Sequence, residues 1–285
     1  MSDSPAMARI ARALERMSPP LTISMPDFKA SHAYLWRPYQ GGFRLPYHYV
    51  PLPLSLLQGI DKQREQLLAN TTAFAQGMGA NHALLWGAKG MGKSSLVKSV
   101  IHHINETLSP AAIQLIDVQQ SDMPTLTPLL EQLVLSPHRF VLFCDDLAFD
   151  PSNSIDHKAY HALKAMLEGS INSIPPNVLI YATSNRRHLT ARRMEENEAQ
   201  ATLHEHDAAD DKIALSDRFG LWLGFHPCTT KQWHAMLDSY YHAEHLTIDK
   251  RLFYQEADMW ARQRGGRSGR IVSQFMTAWK SRHHP

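Results

Sequence analysis

The chain has 285 residues, 44% of them hydrophobic and 20% charged, and its 29 Lys+Arg against 27 Asp+Glu leave a net charge of +2. The length allows about two domains of ~150 residues each and a core that needs no disulfide or metal staple, and the composition excludes a disordered or fibrous chain. So balanced a charge removes whole-chain electrostatics as an argument for nucleic acid, while leaving room for a local basic patch.

Met1 to Met17 lacks the apolar core of a signal peptide. Up to about Ser55 the chain is rich in Pro and aromatics, as in Trp36-Arg37-Pro38-Tyr39, Pro46-Tyr47-His48-Tyr49 and Pro51-Leu52-Pro53. Proline fixes φ and removes backbone donors, so residues 1–55 read as an extended arm packed on the body rather than as a helix. An aromatic docking segment is the functional alternative.

From Gly59 onward, helices and short apolar runs alternate. Residues 61–76 read as a helix, and Ala83-Leu84-Leu85-Trp86 as a strand leading into a Gly-rich turn. The next helix places Leu96, Val97, Val100, Ile101, Ile104 and Leu108 in one apolar stripe. Residues 113–117, 140–144, 178–182 and 221–225 bring the strands to five. Strands alternating with helices imply βαβ units, and near-continuous apolar strands imply a parallel sheet covered on both faces.

Residues 186–211 hold a basic cluster (Arg186, Arg187, Arg192, Arg193) and then an acidic one from Glu195 to Asp211. This stretch reads as a long loop with a helical turn and a solvated face. After Pro227 the strands stop. Trp233, Met236, Leu237 and Tyr240 mark one helix, and Leu252, Phe253, Ala257 and Trp260 a second. Ile271, Val272, Phe275, Met276 and Trp279 mark a third, opened by Ser268 as its N-cap. The expected division is an arm over 1–55, an α/β unit over 56–228 and a small helical unit over 229–285.

The longest apolar stretches, such as Phe140-Val141-Leu142-Phe143-Cys144, fall far short of the ~20 residues of a membrane span. Cys144 and Cys228 form no Cys-x-x-Cys, which fits a reducing cytoplasm. Among the 17 histidines, His102-His103, His204/His206 and His283-His284 lack partners at His-x-x-x-His or Cys/His spacing, so they read as exposed or satisfied side chains.

The chemistry concentrates in three places. Gly87-Ala88-Lys89-Gly90-Met91-Gly92-Lys93-Ser94 fits Gly-x-x-x-x-Gly-Lys-[Ser/Thr], between a strand and an amphipathic helix. Glycines let the backbone N–H groups cradle phosphate oxygens, and the helix adds its positive N-terminus. Lys93 reaches the β/γ-phosphates and Ser94 offers a hydroxyl to Mg²⁺. Phe140 to Cys144 then places Asp145 at the carboxyl end of a buried strand, where it serves as Mg²⁺ ligand, mostly through water. Asp146 is the group to polarise an attacking water, with an N-cap of the following turn as its alternative. Val178 to Asn185 puts polar residues at the end of another buried strand, where the ligand crevice of an open α/β sheet lies. Asn185 there could touch a γ-phosphate or the attacking water, or simply close the strand with a turn.

The ordered set resembles an AAA+ ATPase. Gly87 to Ser94 is similar to Walker A, Phe140 to Asp146 to Walker B, and Asn185 to sensor 1. Leu215-Ser216-Asp217-Arg218-Phe219 resembles the arginine-finger box, Gly269-Arg270-Ile271-Val272 a sensor 2 segment, and Gly59-Ile60-Asp61 the segment that cups adenine. The resemblance runs from about Leu57 to Lys280. Leu84-Leu85-Trp86-Gly87, Gly92-Lys93-Ser94-Ser95-Leu96-Val97-Lys98, Phe143-Cys144-Asp145-Asp146-Leu147, Tyr181-Ala182-Thr183-Ser184-Asn185-Arg186-Arg187-His188-Leu189 and Ser216-Asp217-Arg218-Phe219-Gly220-Leu221-Trp222 resemble, more closely, an uncharacterised bacterial AAA+ family known as domain of unknown function 815.

That resemblance implies a three-layer αβα sandwich with a five-stranded parallel sheet and a C-terminal helical lid. It implies nucleotide binding by Gly59, Ile60, Gly87, Ala88, Lys89, Gly90, Met91, Gly92, Lys93, Ser94, Ser95 and Arg270, and metal binding by Ser94 and Asp145. Lys93, Asp146, Asn185 and Arg218 are the implied catalytic set, with ATP and Mg²⁺ as cofactors. In the AAA+ layout Arg218 reaches only a neighbouring subunit's ATP. Most AAA+ hydrolases carry Asp-Glu where this chain has Asp145-Asp146, a departure that bears on the rate of hydrolysis.

The leading expectation is an ATP-driven AAA+ switch or remodeller, a cytoplasmic homo-oligomer acting on an unidentified protein or nucleic-acid partner and not on a membrane. A P-loop small-molecule kinase, with Arg186 to Arg193 as its basic lid, is the alternative, but it leaves the helical unit and Arg270 unexplained. A nucleotide-dependent switch without turnover is the third reading, and DNA handling by fold analogy the fourth.

Overall fold

The computed structural model describes residues 23–108, 112–150, 153–168, 174–185 and 215–283. The first 22 residues, the basic-then-acidic run 186–211 and the basic lid of the kinase reading therefore lie outside the described residues.

Five parallel strands form in the expected places: β3 (Ala83–Gly87), β4 (Ile113–Val118), β5 (Arg139–Cys144), β6 (Val178–Ser184) and β7 (Leu221–Phe225). The sheet nevertheless has seven strands, not five, because the arm supplies β1 (Ala33–Arg37) and β2 (Gly42–Arg44). The order is β2-β1-β4-β5-β6-β3-β7. Every neighbouring pair is parallel except β1 with β2. The prolines that argue for an extended arm rather than a helix stand outside these strands. Pro38 opens a 3₁₀ turn over Pro38–Gln40, and Gly41 and Gly42, at φ 90° and 88°, close the hairpin. Trp36 fixes β1 in place: its ring is buried and its Nε1–H donates to Thr125 Oγ1 at 2.9 Å. Phe28, Tyr34, Phe43 and Phe140 pack edge to face around the same seam, with centroids 5.0–6.0 Å apart.

Alternate residues of each strand enter different cores. Val141 and Phe143 of β5 face one side, and Phe140, Leu142 and Cys144 the other. Helices α1 (Asp61–Ala75) and α2 (Lys93–Thr107) cover the first side. Helices α3 (Leu126–Leu133) and α4 (Ser154–Leu167) cover the second. Three helices follow β7: α5 (Thr230–Ala243), α6 (Lys250–Gln263) and α7 (Gly269–His283). Their own core is Trp233, Phe253, Phe275 and Trp279, continuous with the α1/α2 side. A Thr229/Gln232 capping box opens α5, Asp249 caps α6, and Ser268 Oγ accepts the Ile271 N–H at 3.3 Å at the start of α7.

Candidate functional site

The carboxyl ends of β3, β5 and β6 open onto one cleft of about 510 Å³, closed on its far side by α5 and α7. The loop after β3 makes the floor. Gly87 sits at φ 120°, and a Cβ there would stand 2.0 Å from the Phe225 carbonyl oxygen, which already accepts the Ala88 N–H at 2.8 Å. The loop thus presses on β7, an approach only glycine allows. Gly92, at φ 90°, turns the chain into α2.

Lys93 is only 7% exposed. Its ammonium donates to Gly87 O at 2.8 Å, Ala88 O at 2.9 Å and Asn185 Oδ1 at 3.0 Å. Burial pushes its pKa below the ordinary lysine value. Asp146 and Asp145 oppose that shift, and the charges of Arg270 and Lys89 add to it.

Around Lys93 the strand ends form a continuous polar network. Asp145 Oδ1 accepts two hydroxyls, Ser94 Oγ and Thr183 Oγ1, each at 2.6 Å. Thr183 Oγ1 in turn accepts the Asp146 N–H at 2.8 Å. The Asn185 amide donates to Asp146 Oδ1 and accepts from Lys93 through its own oxygen. Asp146 has φ 53°, a left-handed conformation that Asp tolerates better than most residues. Hydrogen bonds from Leu147 N to Thr183 O (2.7 Å) and from Ser184 Oγ to Leu147 O (2.8 Å) hold that turn. The hydroxyl of Ser94 and the carboxylate of Asp145 are hard oxygen donors side by side, the donor chemistry that Mg²⁺ takes.

Thr183 is the residue that sequence reasoning missed. What reveals it is the register of β5 with β6, which no local sequence pattern carries. Cys144 stands opposite Ala182, so the next residue on each strand, Asp145 and Thr183, must be neighbours.

The opposite wall comes from outside the sheet. Ile60 lines the cleft with Met236 and Tyr240 of α5 and Arg270 of α7. Lys89, Gly90, Met91, Gly92 and Ser95 line it from the loop and the start of α2. Gly59, Gly87 and Ala88 stand behind the lining rather than in it. Gly59 (φ 77°) accepts Gln232 Nε2 at 2.8 Å through its carbonyl, and a Cβ there would meet Gln232 Cγ at 2.7 Å. Likewise the Arg270 N–H donates to Gly90 O at 3.1 Å, and a Cβ on Gly90 would meet Ser268 Oγ at 2.9 Å.

Arg218 is exposed and does not line the cleft. Leu215, Ser216 and Phe219 are buried around it and anchor its turn, and among the described residues it makes no ion pair with an acid of its own loop.

A family model described as "Protein of unknown function (DUF815)" matches residues 29–283. Among solved structures, the Aeropyrum pernix Orc1 protein in complex with DNA is similar over 85% of this chain and 64% of its own, at 16% identity and a TM-score of 0.54. The Thermotoga maritima RuvB Holliday junction branch migration motor is similar over 80% of this chain and 72% of its own, at 18% identity and a TM-score of 0.43. A search of curated proteins finds no match.

Proposed function

The chain belongs to the DUF815 family and has the AAA+ P-loop fold, and from that premise we propose that it binds Mg·ATP in the cleft and hydrolyses it to switch or remodel a macromolecular partner. The observation that carries this reading is the convergence of Lys93, Ser94, Asp145, Asp146 and Asn185 on one cleft, tied by the hydrogen bonds described above.

Gly87, Ala88, Lys89, Gly90, Met91, Gly92 and Ser95 form or support the phosphate cradle, and Lys93 supplies its mobile charge. Ser94 and Asp145 would hold Mg²⁺, which neutralises charge on the phosphate oxygens when bound. Ile60 shapes the base end, and Gly59 carries the Gln232 clamp behind it. Asn185 links Lys93 to Asp146, so a phosphate oxygen that draws the ammonium away frees the Asn185 oxygen for a water beside the Asp146 carboxylate. Asp146 then takes the proton of that water as it attacks. Arg270 reports the phosphates to α7 through its place at the loop tip. Arg218, exposed and outside its own cleft, serves a neighbouring copy's ATP, which makes the active form a homo-oligomer.

The partner is a protein or a nucleic acid. Orc1, a structural neighbour, is seen with DNA, while the net charge of +2 gives DNA no separate support. Among the described residues no helix is long and apolar enough to cross a membrane, and the free thiols of Cys144 and Cys228 fit the reducing cytoplasm.

A mixing assay tests the shared site. Arg218→Ala and Lys93→Ala proteins, each inactive, should regain part of the ATPase rate together, because some sites then pair an intact loop with an intact arginine. No recovery in assemblies confirmed by light scattering rejects the shared site. Absence of phosphate release by the wild type at any protein concentration rejects hydrolysis.

A further inference from the structure

Helix α4 carries His157 and His161 four residues apart on its exposed face, where side chains at that spacing are neighbours. Their ring centroids are 4.3 Å apart, and the two Nε2 atoms face each other at 3.1 Å. Two imidazoles that share one ion through bonds of about 2.0–2.1 Å place their nitrogens about 2.9 Å apart at a right angle and about 3.4 Å apart at the tetrahedral angle. The observed separation, that of an N–H···N hydrogen bond between the rings, falls between these limits, so an ion taking the place of the shared proton would ask little movement of either side chain.

We propose that His157 and His161 form a two-nitrogen site for a borderline divalent transition metal, Cu²⁺, Ni²⁺ or Zn²⁺, with solvent completing the coordination. Neutral imidazole suits these ions rather than Mg²⁺ or Ca²⁺, which sets the site apart from the oxygen pair of Ser94 and Asp145. Cu²⁺ binds tightest of the three by the ordinary affinity order. Among the described residues no group of three or more His, Cys, Asp or Glu gathers around a common point, so the described residues supply two ligands and solvent the rest.

The platform beneath the pair is well anchored. Ala159, Tyr160, Leu163 and Met166 bury the opposite face, and Asn153 caps the helix by accepting the Ile155 N–H at 2.9 Å. Asp156 ties the first turn to Gln120 at 2.7 Å and to the Asp150 N–H at 3.1 Å. A bound ion would staple the turn between the two histidines, on the helix that follows the Asp145-Asp146 turn. The sequence shows this His-x-x-x-His spacing, but the spacing acquires meaning only once residues 154–167 are known to be helical. The inference stands independently of the nucleotide reading.

Carbethoxylation by diethyl pyrocarbonate, read at each histidine by peptide mass spectrometry on the full chain, tests it. Zn²⁺ should protect His157 and His161 together, at concentrations that leave exposed His234 reactive. EDTA should reverse the protection, and Mg²⁺ should give none. In His161→Ala the Zn²⁺ needed to half-protect His157 should rise by at least about ten-fold, because the second ligand of a linked pair acts at high effective concentration. His157→Ala should do the same to His161. Both side chains are exposed, so both variants keep the fold. Unchanged protection of His157 in His161→Ala, or equal protection of His234 in the wild type, overturns the proposal.

Discussion

On the sheet side of the cleft, six residues from three segments are joined by an unbroken run of hydrogen bonds, from Ser94 through Asp145, Thr183, the Asp146 backbone and carboxylate, and Asn185 to Lys93. On the lid side, among the described residues, α5 and α7 are tied to the body at two glycine carbonyls, those of Gly59 and Gly90. The first wall is a charged network whose members fix one another's positions. The second is built on Met236 and Tyr240 of α5 and Arg270 of α7, with Leu57 beside them, and is pinned at two backbone points. A fixed wall suits reacting groups, which need placement before the reaction begins. A pinned wall suits an element that moves as a body when the loop beneath it changes.

Substitutions can break this contrast or sharpen it. Lys93→Ala has the largest expected effect. It removes the ammonium that would leave its protein acceptors for the phosphates, one charge-assisted contact of the class worth ~1.5–3 kcal/mol, so ATP affinity should fall by about 10- to 100-fold in equilibrium dialysis. An unchanged affinity in the folded variant would remove Lys93 from the site.

Next comes Thr183→Val, which keeps the shape and deletes the hydroxyl shared by Asp145 and Asp146. The expected outcome is about a ten-fold drop in kcat with ATP affinity held within about three-fold, because the loss misplaces reacting groups without touching the cradle. Equal losses in both would mean that the network binds rather than reacts.

Gly90→Ala acts on the other wall. The new methyl meets Ser268 Oγ, and the residue must hold φ 73°, a strain of about 1–2 kcal/mol. Hydrogen exchange at the start of α7 should quicken while that of β5 and β6 stays slow. Quickening throughout the sheet would show that the walls are one cooperative unit.

The smallest effect belongs to Gln232→Ala, which loses the Gly59 clamp and one half of the α5 capping box. About 1 kcal/mol should disappear from the urea unfolding free energy, with kcat nearly unchanged. A large fall in kcat would give the lid wall a catalytic duty of its own.

The two walls also differ in how far the sequence revealed them. The loop and the strand ends are written in contiguous residues, so the lining that Lys89 to Ser94 and Asp145-Asp146 give one cleft is legible in the sequence as a candidate site. Thr183 is not, because its neighbour Asp145 lies on another strand and only the β5–β6 register joins them. The Gln232–Gly59 clamp spans 173 positions and has no local signature. Among the elements, the five central strands followed from apolar runs, whereas β1 and β2 did not. β1 is five residues long among prolines, and its place is decided by pairing with β4 and by Trp36 reaching Thr125, both non-local facts. Ser268 was readable as a cap because a cap is made within one turn.

The backbone at Asp146 has an evolutionary consequence. One nucleotide separates an aspartate codon from a glutamate codon, so the commoner Asp-Glu ending of this strand is a single mutational step away. The step is not a simple lengthening of a side chain. At φ 53° the left-handed region favours Asp over longer residues, and the Asp146 carboxylate is also held by the Asn185 amide. A glutamate arriving alone would inherit a backbone suited to its predecessor and an amide placed for a shorter reach. The 146 and 185 positions are therefore expected to vary as a pair among descendants of this sequence, with the turn relaxing before or alongside the change of acid.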